Sequence, residues 1–163
     1  MNQPEILIVG AGGMGALFGS ILHENGLKVV LYDTNTEHIS AIQQAGLKIE
    51  GYGGDRTIPV VATLNLSELE SAEIIIFQCK SHGTRQAAKA VKPLITQESV
   101  CISFQNGLGN EEVMAEELGE DSVMGGLTAM AGVLLEPGKI LSLIHISEPT
   151  RPRLISYAVF CLK

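Results

Sequence analysis

Six residues near the start, Gly10-Ala11-Gly12-Gly13-Met14-Gly15, constrain this chain more than any other stretch. They lie between the β-branched run Ile6-Leu7-Ile8-Val9 and a segment where Met14, Leu17, Phe18, Ile21 and Leu22 recur at helical spacing. The first pattern is that of a strand buried on both faces, the second that of an amphipathic helix, and Gly26 falls where that helix should stop. A strand that turns through glycines into a helix leaves backbone N–H groups and the positive end of the helix dipole facing outward, an anion site built of main chain. The spacing Gly10-x-Gly12-x-x-Gly15 gives each glycine a task. Gly10 makes the tight turn, Gly12 admits a pyrophosphate close to the backbone, and Gly15 lets the helix lie against its strand. A second strand, Lys28 to Tyr32, ends in Asp33, about 20 residues beyond the turn, where a carboxylate meets ribose hydroxyls. A glycine-rich turn without a ligand is the alternative, and it leaves that second strand and its acid unexplained.

Strand and helix patterns alternate onward. A helix over Thr36–Ala45 is predicted, with Thr34 or Asn35 as cap and Gly46 as stop. Two extended pieces, Leu47-Lys48-Ile49-Glu50 and Ile58-Pro59-Val60-Val61, flank Gly51, Gly53 and Gly54 and read as a hairpin hung on the sheet. Ser67 to Ser71 reads as a helical turn, and Ile74-Ile75-Ile76-Phe77 as a buried strand. A helix from Gly83 to Val91 stopped by Pro93, a strand over Ser99–Phe104, a helix capped by Asn110 and running to Leu118, and a strand over Ser122–Met124 follow. Glu136-Pro137-Gly138-Lys139 is a turn. The alternation predicts an α/β fold with a doubly wound parallel sheet of the Rossmann type.

Composition narrows the classes of function. A net charge of −7 argues against a nucleic-acid partner, which calls for a basic face. The apolar runs are too short to span a bilayer, and the N-terminus enters a strand without a basic leader, so neither a membrane anchor nor a signal peptide is expected. Cys79, Cys101 and Cys161 lack metal-ligand spacing and read as reduced thiols of a cytoplasmic protein, with no metal site.

Ligands of such sheets bind beyond the carboxyl ends of the strands. Three polar clusters fall there: Asp33; Lys80 with Ser81 and His82; and Gln105 with Asn106. Lys80 suits a phosphate or a carboxylate, against the alternative of a lysine merely entering solvent. Asn106-Gly107 has an ordinary turn as its rival. His82 and, on the first helix, His23 and Glu24 read as surface residues.

The opening Ile6–Gly15, Cys79-Lys80, Gln105-Asn106-Gly107-Leu108-Gly109, and Met124-Gly125-Gly126 leading to Glu136-Pro137-Gly138-Lys139-Ile140 together resemble the N-terminal half of the ketopantoate reductase (2-dehydropantoate 2-reductase) family, over about residues 5 to 140. The resemblance implies an NAD(P)-binding domain over residues 1–140, in which Gly10, Ala11, Gly12, Gly13, Met14 and Gly15 hold the pyrophosphate. Lys80 and Asn106 would contact the nicotinamide cofactor, Asn106 the substrate as well, and Ala131 would contribute a backbone contact. The implied reaction is reduction of ketopantoate, a small 2-keto acid, to pantoate for pantothenate and coenzyme A synthesis. No catalytic residue falls within the chain. The family's general-acid lysine belongs to a helical C-terminal domain, before which this sequence is expected to be truncated, and a homodimer would need that domain. The family usually takes NADPH, with an arginine after the second strand. Here Asp33-Thr34-Asn35 stands in that place and leans toward NADH. Two alternatives stay open: a dehydrogenase of another small 2-keto acid or an imine, and a non-catalytic NAD(P)-sensing module.

From Leu141 the composition changes. Leu141 to Arg151 resembles a translated transposase adapter used in DNA sequencing, and Ile155 to Leu162 resembles the primer region that follows one. Residues 141–163 are therefore expected to be an artefactual tail, to be left out of fold reasoning. That tail carries +2, so the preceding residues hold −9. A strand is expected at Tyr157–Leu162 from local propensity alone.

Overall fold

The structure, a computed structural model, describes residues 3–143. The elements run β1 (Ile6–Val9), α1 (Gly13–Glu24), β2 (Val29–Tyr32), α2 (Thr36–Ala45), β3 (Leu47–Gly51), β4 (Arg56–Ile58), β5 (Val61–Thr63), β6 (Ile74–Phe77), α3 (Thr84–Val91), β7 (Val100–Ser103), α4 (Asn110–Leu118), β8 (Val123–Gly125), β9 (Ala131–Glu136) and β10 (Lys139–Leu143). The strand expected at Tyr157–Leu162, with Cys161, lies outside the described residues.

Six strands form one parallel sheet in the order β5-β2-β1-β6-β7-β8. This is the expected doubly wound arrangement, with the chain reversing direction across the sheet at β1 and β6. Both faces are covered, which is why β1 carries no polar residue. Ile6 and Ile8 pack with Ala16, Leu17, Ile39 and Ile42 on the side of α1 and α2. Leu7 and Val9 pack with Ala88, Val91 and Met114 on the side of α3 and α4. The helix ends follow sequence chemistry. Asn35 accepts the His38 N–H as cap of α2, and Gly46 leaves that helix at φ +77°. Among the described residues, no helix is long and apolar enough to cross a membrane.

Two expectations are corrected. The hairpin does not hang on the parallel sheet. β3 and β4 pair antiparallel and join a second sheet of order β4-β3-β10-β9, while Pro59 breaks the run and β5 returns alone to pair with β2. β9 and β10 flank the expected turn at Glu136–Lys139 and pair with each other. β10 pairs with β3 and β9 through its whole length, with Leu141 opposite Glu50 and Val133 and Ser142 buried. Finally, Asn110 does not cap α4: Gly109 occupies that position and the Asn110 side chain turns back toward the preceding loop.

Leu47, Ile49, Ile58 and Ile140 of the second sheet extend the core on the α1–α2 side. Its far edge is less well covered, with Val133, Leu134 and Leu135 of β9 exposed beside Leu127 and Met130.

Candidate functional site

Register places the ends of the central strands in one row: Tyr32, Val9, Phe77 and Ser103 are successive neighbours across the sheet. The next residue of each strand therefore opens onto one shared edge, which gathers Asp33, Gly10, Gln78 and Phe104.

The glycine turn fits its expected mechanics. Gly10 has φ +99°, and a Cβ there would lie 2.6 Å from Cys79 Cα, so neither its conformation nor its space admits a side chain. A Cβ on Gly15 would collide with the Gly10 carbonyl oxygen and lie 3.0 Å from Ile8 Cγ2, which is the close packing of helix on strand. Gly12 differs. It is extended at φ −61°, ψ −168°, and a Cβ there would meet nothing within 4 Å. Its glycine is required neither by the backbone nor by a neighbour among the described residues. Gly12 caps α1 with no side-chain hydrogen bond, and the first turn holds no acid, so the helix keeps its N-terminal partial charge unneutralised. In α4, by contrast, Glu111 and Glu112 occupy the first turn.

Asp33 lies next to the turn, since Gly10 donates its N–H to Tyr32 O at 2.9 Å. Asp33 Oδ1 accepts the Asn35 N–H at 2.9 Å, which fixes the carboxylate and leaves its second oxygen free of any protein donor among the described residues. Burial, then the charge of Asp33, pushes the Tyr32 hydroxyl above its ordinary range. Burial likewise raises the Cys79 thiol, and it carries the fully buried Cys101 thiol up to about 11, so both stay protonated at neutral pH.

A hydrogen-bonded tie joins the loops after β6 and β7. Gln105 Nε2 donates to Cys79 O at 2.7 Å and to Thr84 Oγ1 at 2.8 Å. Thr84 Oγ1 donates to Asn110 Oδ1 at 3.2 Å, and Asn110 Nδ2 donates to Asn106 O at 3.1 Å. Ser81 Oγ closes the circuit by donating to Asn106 O at 3.0 Å. Gln105 is therefore turned inward as a tie, while Lys80 and Asn106 are left exposed on the two loops that it joins. His82 is exposed, as expected. Ala131 opens β9, and its neighbour Gly132 abuts Gly13, so Ala131 lies beside the N-terminus of α1. The edge thus assembles Gly10–Gly15, Asp33, Lys80, Asn106 and Ala131 from five separate stretches.

Sequence reasoning missed Thr84, Asn110 as a tie, and Gln78, whose buried Nε2 has no hydrogen-bond partner among the described residues at this edge. It also missed Phe104, whose ring lies 5.1 Å from that of Phe18 and fills the space that Gly126 leaves by having no side chain. The Met124-Gly125-Gly126 motif was the available signal for that contact.

Comparison with known proteins agrees with this geometry. The family model described as ketopantoate reductase PanE/ApbA matches residues 6–147. A 2-dehydropantoate 2-reductase of Pyrococcus abyssi is 37% identical over 136 residues, which is 83% of this chain and 43% of that protein. The crystal structure of 2-dehydropantoate 2-reductase from Geobacter metallireducens superposes with a TM-score of 0.78 at 29% identity, over 84% of this chain and 45% of that one. A D-mandelate dehydrogenase solved with NADH and anilino(oxo)acetate gives 0.80 at 26% identity, over 85% of this chain and 45% of that one. The chain thus spans under half the length of the relatives it matches, and it belongs to the ketopantoate reductase PanE/ApbA family.

Proposed function

We propose that this chain is the dinucleotide-binding part of an oxidoreductase that reduces 2-dehydropantoate to pantoate with NAD(P)H. The observation that carries the reading is Gly12, a glycine that nothing among the described residues requires, at the N-terminus of α1, without a side-chain cap, on the carboxyl edge of the sheet. The residues present fit the cofactor. Backbone amides of the Gly10–Gly15 turn receive the pyrophosphate, and the free oxygen of Asp33 receives the adenosine ribose diol. Lys80 and Asn106 offer an ammonium and a carboxamide at the nicotinamide end, where the buried donor of Gln78 also has no partner among the described residues. Ala131 lines the opposite wall with backbone. The nicotinamide, when bound, supplies the hydride for the keto carbon, and the chain's residues orient it. Asn106 also faces the substrate. No residue of this chain is assigned as general acid.

A carboxylate at Asp33 would repel a 2′-phosphate, so the reading favours NADH over NADPH. Titrating the 163-residue chain with each nucleotide, followed by nicotinamide fluorescence, is the test. Saturable binding of both with NADH tighter is expected, and no binding of either removes the assignment. A second reading, a dehydrogenase of a different 2-keto acid, is favoured by the likeness to the D-mandelate dehydrogenase. Comparing kcat/KM for ketopantoate and for an aryl 2-keto acid in the enzyme of full family length decides between them.

A further inference from the structure

His38 lies in α2, away from the exposed rim, and is 1% exposed. Both its ring nitrogens are engaged. Gly138 N–H points at Nδ1 across 2.9 Å, and Nε2 lies 2.8 Å from the Ala11 carbonyl oxygen. A backbone N–H can only donate, so Nδ1 accepts, the ring is neutral, and the proton sits on Nε2, donated to Ala11. The contact is built from both sides. Gly138, at φ +76°, has its Cα against Ala41, where a Cβ would lie 2.8 Å from Ala41 Cβ, and its carbonyl accepts the Lys48 N–H at 2.9 Å.

Ala11 is the middle residue of the Gly10-Ala11-Gly12 turn. Its carbonyl and the Gly12 N–H belong to one planar trans peptide and point in opposite directions. Holding the carbonyl toward His38 therefore aims the Gly12 amide the other way. Among the described residues nothing accepts that N–H, and a Cβ on Gly12, unlike one on Gly10, Gly13 or Gly15, would meet nothing within 4 Å. We infer that His38 is a positioning residue for the nucleotide phosphates: its Nε2–H fixes the Ala11–Gly12 peptide so that the Gly12 amide faces the ligand. This rests on the dinucleotide reading above. It extends that site to a buried side chain that touches no ligand, and it couples the site to the β9–β10 turn of the second sheet.

Two substitutions separate positioning from simple support. In His38→Gln the side-chain nitrogen reaches the place of Nε2 and keeps the donor to Ala11. In His38→Asn the oxygen takes the place of Nδ1, keeps the acceptor for Gly138 and loses Ala11. Each loses one hydrogen bond, so similar falls in melting temperature are expected. Binding should divide them. The 163-residue chain with His38→Asn should lose about tenfold in affinity for ADP and NADH, and His38→Gln should stay within about twofold, while adenosine, which lacks phosphates, binds alike to all three. Equal ADP affinities in the two variants, or parallel losses for ADP and adenosine, overturn the inference. If neither variant folds, nitrogen-detected NMR of the wild-type imidazole decides. A proton on Nε2, with the Gly12 amide signal shifting on ADP addition, supports the assignment. A proton on Nδ1, or an unmoved Gly12 amide with ADP bound, overturns it. Failure of the wild-type chain to bind either ADP or NADH instead removes the dinucleotide reading, and this one with it.

Discussion

Alanine substitutions at Gly10 and Gly12 should fail in opposite ways, because one glycine serves the fold and the other the ligand. At Gly10 a side chain meets two separate costs. The φ of +99° is a region that L-residues occupy at a penalty of about 1–2 kcal/mol. The new Cβ would also stand 2.6 Å from Cys79 Cα, backbone at the end of a buried strand that cannot swing aside, and overpacking of that kind costs about 1–3 kcal/mol. Against a total stability of about 5–15 kcal/mol, Gly10→Ala should lower the urea midpoint by at least about 1 M, taking a slope of about 2 kcal/mol/M. At Gly12 the backbone is extended and the space open, so the fold should lose only the difference between glycine and alanine at a helix N-cap, under about 1 kcal/mol. The methyl would nonetheless stand where the phosphates approach. Gly12→Ala should keep a near wild-type urea curve and lose at least about tenfold in NADH affinity. Urea melts by circular dichroism and fluorescence titration on the same samples read both quantities. A Gly12→Ala protein that binds normally, or that unfolds as readily as Gly10→Ala, refutes the division of labour.

Asp33→Asn keeps the acceptor for the Asn35 N–H while removing the charge, so the preference for NADH over NADPH should narrow by about tenfold, and an unchanged ratio by calorimetric titration would show that Asp33 does not read the ribose. Gln105→Ala leaves Cys79 O and Thr84 Oγ1 without their donor and should cost about 1–3 kcal/mol in a urea melt; no loss would mean the tie between the two loops is redundant. The Cys101 thiol is held at about 11 in the fold against 9.0 for the free group. Its contribution is therefore intact below pH 9 and lost as pH rises from 9 through 11, because only the unfolded chain ionises readily in that window. The wild-type protein should lose more stability than Cys101→Ala between pH 8 and pH 11, and equal losses would refute the assignment.

What the sequence disclosed was local. β1, α1 and β2 are contiguous, each carries its own period, and the glycine spacing is set locally: Gly10 by its positive φ, Gly15 by Gly10 and Ile8, and Gly12 by the ligand. The second sheet was hidden for the converse reason. Its central pairing sets Lys48 opposite Lys139 and Ile49 opposite Ile140, partners far apart in the chain, and Ala131-Gly132-Val133-Leu134-Leu135-Glu136 shows neither alternation nor helical spacing. Side-chain direction was equally hidden. Gln105 and Asn106 stand side by side in the sequence as one polar cluster, yet one turns inward to Thr84 and the other outward, a choice made by the loop after β6. Nothing in the sequence singles out His38 within the helix predicted over Thr36–Ala45, because both its partners, Ala11 and Gly138, lie on other elements.

The contact that joins the second sheet to α1 at the site is a pair of glycines, and it can be broken on the side away from the turn. A Cβ on Gly132 would lie 2.8 Å from the Gly13 carbonyl carbon and 3.3 Å from Leu17 Cδ2, while one on Gly13 would lie 2.7 Å from both Gly132 C and Leu134 N. Backbone meets backbone there, so neither side yields without α1 or β9 moving. Gly132→Ala should cost about 1–3 kcal/mol in a urea melt. Because the displaced element begins at Gly13, it should also weaken ADP binding several-fold, although Gly132 lies outside the fingerprint. Leu135→Lys, at an exposed position of the same strand, is the control and should leave both quantities near wild type. If Gly132→Ala destabilises the protein with ADP affinity intact, β9 has moved alone and α1 is held by the parallel sheet. If ADP affinity falls as well, the second sheet is part of what sets the helix N-terminus against the phosphates.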